Sequence, residues 1–153
     1  MQIRRALLED REKFVKAYLL AYKELSDYKY RSSKEIKNYF NWLYKRDREG
    51  FWVAEEQNEV LGFVASDANW IGVEGEEVLE IHELFVIPEA RNKGIGKKLL
   101  EKALKYGKEK DKKLVELWVG EKNFQAINFY KSLGFKENGV VGKWLRMTKS
   151  LNC

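Results

Sequence analysis

Cysteine, histidine and proline each occur once in the 153-residue chain, and methionine twice. A lone cysteine excludes a disulfide framework within the chain and any zinc site built from thiolates. It is Cys153, the last residue, where fraying is expected and a catalytic role is not. No metal site is expected. No apolar run approaches the ~20 residues that span a bilayer. The opening MQIRRALLED lacks the apolar core of a signal peptide, so a cytoplasmic location and no membrane partner are expected. Repeats, low-complexity tracts and long linkers are missing too, and one domain over residues 1–153 is the simplest organisation.

What is present points to a charged globular protein. Hydrophobic residues make up 44% and charged residues 35% of the chain, enough apolar surface for a core. Lysine and glutamate abound, a bias associated with heat-adapted proteins. The net charge of +5 suits a nucleic acid, an acidic partner or a polyanionic cofactor. The basic residues are spread over helices without aromatic interleaving, so nucleic acid is not the expected partner.

Periodicity places the elements. Residues 2–6 read as a short edge strand. Phe14, Val15, Tyr18, Leu19, Tyr22 and Leu25 recur at helical spacing and predict a helix over 8–25. Ser32 and Glu35 form a capping box for a second helix reaching about Arg48, with Ile36, Tyr39, Phe40, Leu43 and Tyr44 on one face. FWVAEE and EVLGFVASD predict a hairpin turning at Gln57-Asn58. A loop near NWIGVEGEE leads to a strand over 78–87. A helix from Gly94 to about Lys110, the strand LVELWV, a short helix over 124–133 and a closing hairpin (FKEN, VGKWLRMTK) complete the chain. The order β-αα-βββ-α-β-α-ββ implies an α/β (α+β) fold, a mixed sheet with helices on both faces.

Residues 84–104, LFVIPEARNKGIGKKLLEKAL, organise the rest. A strand ends before Pro88, and a polar loop leads to Gly94-Ile95-Gly96 at the start of a helix. The first amides of a helix lack partners and carry the positive end of its dipole. An anion, phosphate above all, suits that position. Glycines at 94 and 96 keep β-carbons away from the amides, and Arg91, Lys93, Lys97 and Lys98 add charge. A dinucleotide fingerprint would need glycine at Leu99, and a Walker loop would need Ser or Thr at Lys98. The remaining reading is R-x-x-G-x-G after an L-x-V strand. A second segment, WVGEKNFQAINFYKSLGF, carries Asn123, Ala126, Tyr130, Gly134 and Phe135 in the pattern N-x-x-A-x-x-x-Y-x-x-x-G-F. The two motifs in this order resemble the GNAT superfamily of acyl-CoA N-acyltransferases, and the resemblance spans nearly the whole chain.

The resemblance implies a mostly antiparallel sheet with a splayed central strand pair and acetyl-CoA as cosubstrate. Leu84, Phe85 and Val86 would pair with pantetheine. Arg91, Asn92, Lys93, Gly94, Ile95, Gly96 and Lys97 would hold pyrophosphate. Asn123 would contact the pantetheine arm, cap its helix, or both. Ala126 and Phe129 would line the groove, and Tyr130 would be the general acid beside the sulfur. The acceptor would be a small-molecule amine or a protein or peptide amine, and a homodimer is common in such folds. A non-catalytic acyl-CoA-binding module is the alternative.

Direct attack by an amine needs a base, a donor for the oxyanion and an acid for the thiolate. LEIHELFV offers Glu80, His82 and Glu83 as bases, and an unpaired N–H near Leu84 as the oxyanion donor. Strand alternation puts Glu80, His82 and Leu84 on one face and Glu83 on the other, unless a bulge changes the phase. His82 is either a proton relay or a packed, hydrogen-bonded histidine. Tyr28, Tyr30, Glu24 and Asp27 lie in or beside the loop after the first helix, where such enzymes form the substrate wall; a solvated loop is the other reading.

Overall fold

The computed structural model describes residues 1–151; Cys153 lies outside the described residues. The strands are β1 (Gln2–Arg5), β2 (Phe51–Glu56), β3 (Glu59–Ile71), β4 (Glu77–Val86), β5 (Leu114–Gly120), β6 (Lys136–Val141) and β7 (Trp144–Ser150). The helices are α1 (Arg11–Ala21), α2 (Ser33–Asp47), α3 (Ile95–Glu109) and α4 (Phe124–Ser132). Together the strands form one 7-stranded sheet in the order β1-β2-β3-β4-β5-β7-β6. The β4/β5 pair is parallel, and the other neighbouring pairs are antiparallel. The predicted order of elements is the observed one.

A cluster of phenylalanines fixes one face of the sheet. Phe14 of α1 packs edge-on against Phe40 of α2 and against Phe51, Phe63 and Phe85 of the strands. On the other face α3 buries Ile95, Leu99, Leu100 and Ala103, and its Gly107 lies over Leu79. Ser32 caps α2 with the expected reciprocal Glu35 contact. The turn at Gln57-Asn58 has both residues at positive φ (52° and 66°), as a tight hairpin requires.

Three boundaries differ from the sequence reading. The first helix is shorter than 8–25: a 3-10 turn covers Leu8–Asp10, α1 stops at Ala21, and Leu19 faces solvent. The Ala21 carbonyl accepts from Arg91 Nη2 at 2.8 Å, a cationic cap on the negative end of the helix. Strand β3 runs on through Asn69-Trp70-Ile71, past a register shift between Asp67 and Trp70. The most consequential difference lies in β4. Ala65 pairs with Glu83 while the next residue, Ser66, pairs with Ile81, so His82 is an extra residue in the ladder.

Strands β4 and β5 pair only through Leu79–Val115, Glu80–Glu116 and Ile81–Leu117. Beyond that row they diverge, and the edge of β4 at 84–86 has no β5 partner. Among the described residues no helix is long and apolar enough to cross a membrane.

Candidate active site

The divergence of β4 from β5 opens two cavities that meet. The larger, about 810 Å³, runs from the loop before α3 along Leu84, Phe85 and Val86 to α4. The smaller, about 320 Å³, lies on the α1/α2 side under the 26–30 segment. Tyr22, Leu84, Asn123, Ala126 and Tyr130 line both.

The larger cavity collects most of the expected cofactor residues. Arg91, Asn92, Gly94, Ile95, Gly96 and Lys97 form one end. Helix α3 starts at Ile95, one residue after the sequence reading, with Gly94 as its cap. Gly94 has φ +79°, a left-handed conformation that favours glycine over any residue with a β-carbon. The first helical bond runs from the Lys98 amide to the Gly94 carbonyl, so the amides of Ile95, Gly96 and Lys97 precede the ladder. A β-carbon at Gly96 would make ordinary contact with Phe129 at 3.5 Å, so the protein itself does not demand glycine there. The space its missing side chain leaves belongs to the cavity. A long ligand with a diphosphate therefore fits: amides and Lys97 at one end, the free edge of β4 in the middle, Phe129 and Tyr130 at the other.

Two residues depart from their expected places. Lys93 is exposed on the loop and does not line the cavity. Arg91 lines it, but its guanidinium donates to the Val86 carbonyl (3.2 Å) as well as to Ala21. It ties the loop to both walls of the cleft, and its charge stays beside the helix start. Glu24, expected in a substrate wall, lines this larger cavity instead, because α1 ends four residues early and turns the chain across the cleft.

The bulge in β4 decides the rest. His82 and Glu83 both reach the α2 side, not opposite faces. Glu83 enters the smaller cavity, with 9% of its surface exposed. Tyr39 Oη donates to its Oε1 at 2.8 Å, and Tyr22 Oη donates to Oε2. Burial pushes the Glu83 carboxyl up to about 7, against the pull of both phenols and of the Leu84 amide, which favour the charged form. His82 lines the smaller cavity as well and is closely packed. Its Nε2 lies 2.9 Å from Asp67 Oδ2, and its ring meets the edges of Trp42 and Trp70.

Glu80 lines neither cavity and is 4% exposed. It sits in the middle of the three rows where β4 and β5 pair, beside Glu116. Burial, and then the bond to and charge of Glu116, push its carboxyl up to about 10. Glu116 is held charged by Arg146, whose Nε donates to it at 2.6 Å. The carboxyl pair thus keeps one proton, on Glu80.

Tyr130 stands where the cavities join. Burial, and then the charge of Glu83, raise its phenol well above the ordinary range, so it keeps its proton at neutral pH. Asn123 caps α4, its Oδ1 accepting from the Ala126 amide at 3.3 Å, and also lines both cavities. Asp27, Tyr28 and Tyr30 line the smaller cavity, as the substrate-wall reading expected. Tyr22 and Tyr39 were legible only as helix-face aromatics. Trp118, Gly120, Lys143 and Trp144 carried no signal at all, since they come from β5 and from the turn into β7, which only the fold brings together.

Residues 12–135 match the model of the acetyltransferase (GNAT) family. An uncharacterised N-acetyltransferase of Archaeoglobus fulgidus is 51% identical over 145 residues, covering 93% of this chain and 99% of that relative. An uncharacterised N-acetyltransferase of Methanocaldococcus jannaschii is 47% identical over 150 residues, covering 97% of this chain and 66% of that relative. The PaiA N-acetyltransferase of Thermoplasma acidophilum, solved in complex with coenzyme A, aligns with a TM-score of 0.80 at 26% identity, over 97% of this chain and 98% of that one.

Proposed function

The chain belongs to the GNAT family of acetyltransferases, and from that premise we propose that it acetylates a primary amine with Glu83 as general base and Tyr130 as general acid. One observation carries the reading: a cofactor-sized cleft and a second cavity meet at Tyr130, and Glu83 faces that second cavity. Acetyl-CoA supplies an acyl group on a good leaving thiolate. The amides of Ile95, Gly96 and Lys97 bind its diphosphate, and the free edge of Leu84–Val86 orients its arm.

An amine arrives as an ammonium with a pKa near ~10. Glu83, ionised above about pH 7, takes a proton from it and frees the nitrogen lone pair. The nitrogen attacks the thioester carbonyl, and as the tetrahedral intermediate collapses the C–S bond breaks. Tyr130 gives its proton to the departing sulfur and is reprotonated by the second proton the nitrogen sheds on becoming an amide. A protein that only bound the cofactor would have no use for a titrating carboxyl at the end of a second cavity. His82, paired with Asp67, supports the strand on which Glu83 sits.

Two measurements test these roles. CoA release is followed with a panel of amines, and CoA binding by calorimetry. Tyr130→Phe is expected to lower kcat by about a hundredfold, at the lower end of acid–base contributions, with CoA affinity nearly unchanged. Equal turnover in that variant removes Tyr130 from the mechanism.

Tyr39 bears on the base alone, because it lies outside the larger cavity. Its phenol favours the charged form of Glu83, so Tyr39→Phe moves the lower inflection of the kcat/KM profile upward from about 7. The expected displacement is about one pH unit. A profile that stays in place contradicts the assignment of that inflection to Glu83.

A further inference from the structure

The smaller cavity has a definite charge and shape. Its floor is Glu83, and its walls are largely aromatic: Tyr18, Tyr30, Trp118 and Trp144 among them. Polar groups share the space with the rings, among them Asp27, His82 and Asn123, and several are already engaged. The phenols of Tyr22 and Tyr39 already donate to Glu83, and Tyr18 Oη accepts from the Tyr30 amide at 3.1 Å.

Tyr28 closes the side. Its ring lies 5.3 Å from that of Trp144, and its Oη accepts from the Lys122 amide at 3.1 Å. It crosses β5 at Gly120, where any β-carbon would stand 2.4 Å from the ring. The exposed Lys143 completes this wall. Its Nζ donates to the Asp27 carbonyl and lies 5.8 Å from the centroids of both Tyr28 and Trp144.

We propose that the acceptor is a singly charged primary amine bearing an aromatic or bulky apolar group, and that Lys143 excludes polycations. The ammonium meets the one interior carboxylate, and the rings bury its apolar body. A polyamine's second charge would seek an acid or a ring face, and the one acid of the rim, Asp27, is outnumbered there by Lys29 and Lys143. The Tyr28 and Trp144 faces already hold a cation, and Lys143 repels another. Lys29, which also lines the cavity, adds to that repulsion.

This inference rests on the acetyl-transfer reading for the identity of the reacting nitrogen. The test therefore reads binding and turnover separately. The full chain, saturated with CoA, is titrated by calorimetry with 2-phenylethylamine, spermidine and a tetrapeptide beginning with phenylalanine. The aromatic amine or the peptide is expected to bind at least about tenfold more tightly than spermidine. Whichever of the two is tighter identifies the source of the amine, free or peptide-borne. Lys143→Glu, a surface change, is expected to erase most of the preference by tightening spermidine.

Spermidine binding as tightly as the aromatic ligands overturns the inference, and so does an unchanged ratio in the variant. The same mixtures are then run with acetyl-CoA. Selective binding without CoA release sinks the transferase reading and leaves the cavity's selectivity standing. Faster turnover of spermidine sinks the selectivity alone.

Discussion

Replacing Glu83 with glutamine is expected to lower kcat by about two to four orders of magnitude, the usual contribution of a positioned base. CoA affinity should change little, because Glu83 faces the smaller cavity and does not line the larger one. The inflection near 7 should vanish with the group that causes it. Glutamine keeps the shape and still accepts from a phenol, so a loss of fold is not the expected cause. Stability should move the other way. The carboxyl's value in the fold, about 7, lies above its ordinary 4.5. The protonated form is therefore favoured by folding. The stability this provides is complete below pH 4.5 and is lost as pH rises through 7. Glutamine does not titrate, so at pH 8 the variant should melt higher, by up to about 3 kcal/mol of unfolding free energy. A slower enzyme that is also more stable is the mark of a group held for chemistry. Full turnover in Glu83→Gln, or a variant that melts lower at pH 8, sinks the assignment.

The second large effect lies at the foot of the strand divergence. Arg146 has 3% of its side chain exposed and pairs with Glu116, Glu74 and Glu76. Arg146→Leu leaves the Glu116 carboxylate buried with no cation, which should cost about 3–5 kcal/mol. Urea titration at pH 7 measures it, and a loss under about 1 kcal/mol refutes the account. Glu80→Gln is the matched control. Glu80 holds a proton to about pH 10 in the fold, but only to about 4.5 when unfolded. Its stability contribution is complete below 4.5 and falls as pH rises through that window. Glutamine still donates to Glu116 without taking up a proton. The variant should match the parent at pH 4.5 and melt higher at pH 8. Opposite signs from two neighbours in one cluster cannot come from a general loosening of the sheet.

Much of this molecule is legible in the linear chain because its signals are local. The capping box at Ser32 and Glu35 and the turn at Gln57-Asn58 each depend on a few adjacent residues. The helix start at Gly94-Ile95-Gly96 is local too: glycine spacing and the end of a strand suffice to place an anion site. The order of strands and helices follows from where the apolar period changes.

The proposed base was not legible in that way. Glu80, His82 and Glu83 differ in the sequence only by position, and strand alternation favours the wrong pair. One extra residue in β4 brings His82 and Glu83 to the same side, and that bulge depends on pairing with Ala65 and Ser66. Glu83 then finds Tyr22 and Tyr39 on two different helices. Arg91 reads as a phosphate ligand, yet its guanidinium bonds to carbonyls of α1 and β4. The smaller cavity takes its walls in part from Tyr28, Gly120 and Trp144, which no short window contains.

By itself, then, the sequence determined the family, the element order and the helix start proposed to hold a diphosphate, since spacing and glycine placement act over one or two turns of chain. Tertiary structure alone decided which carboxyl is pushed up to about 7 by burial and which side chains wall the cavity above it. Both depend on desolvation and on partners far apart along the chain, and only the packed sheet brings those partners together.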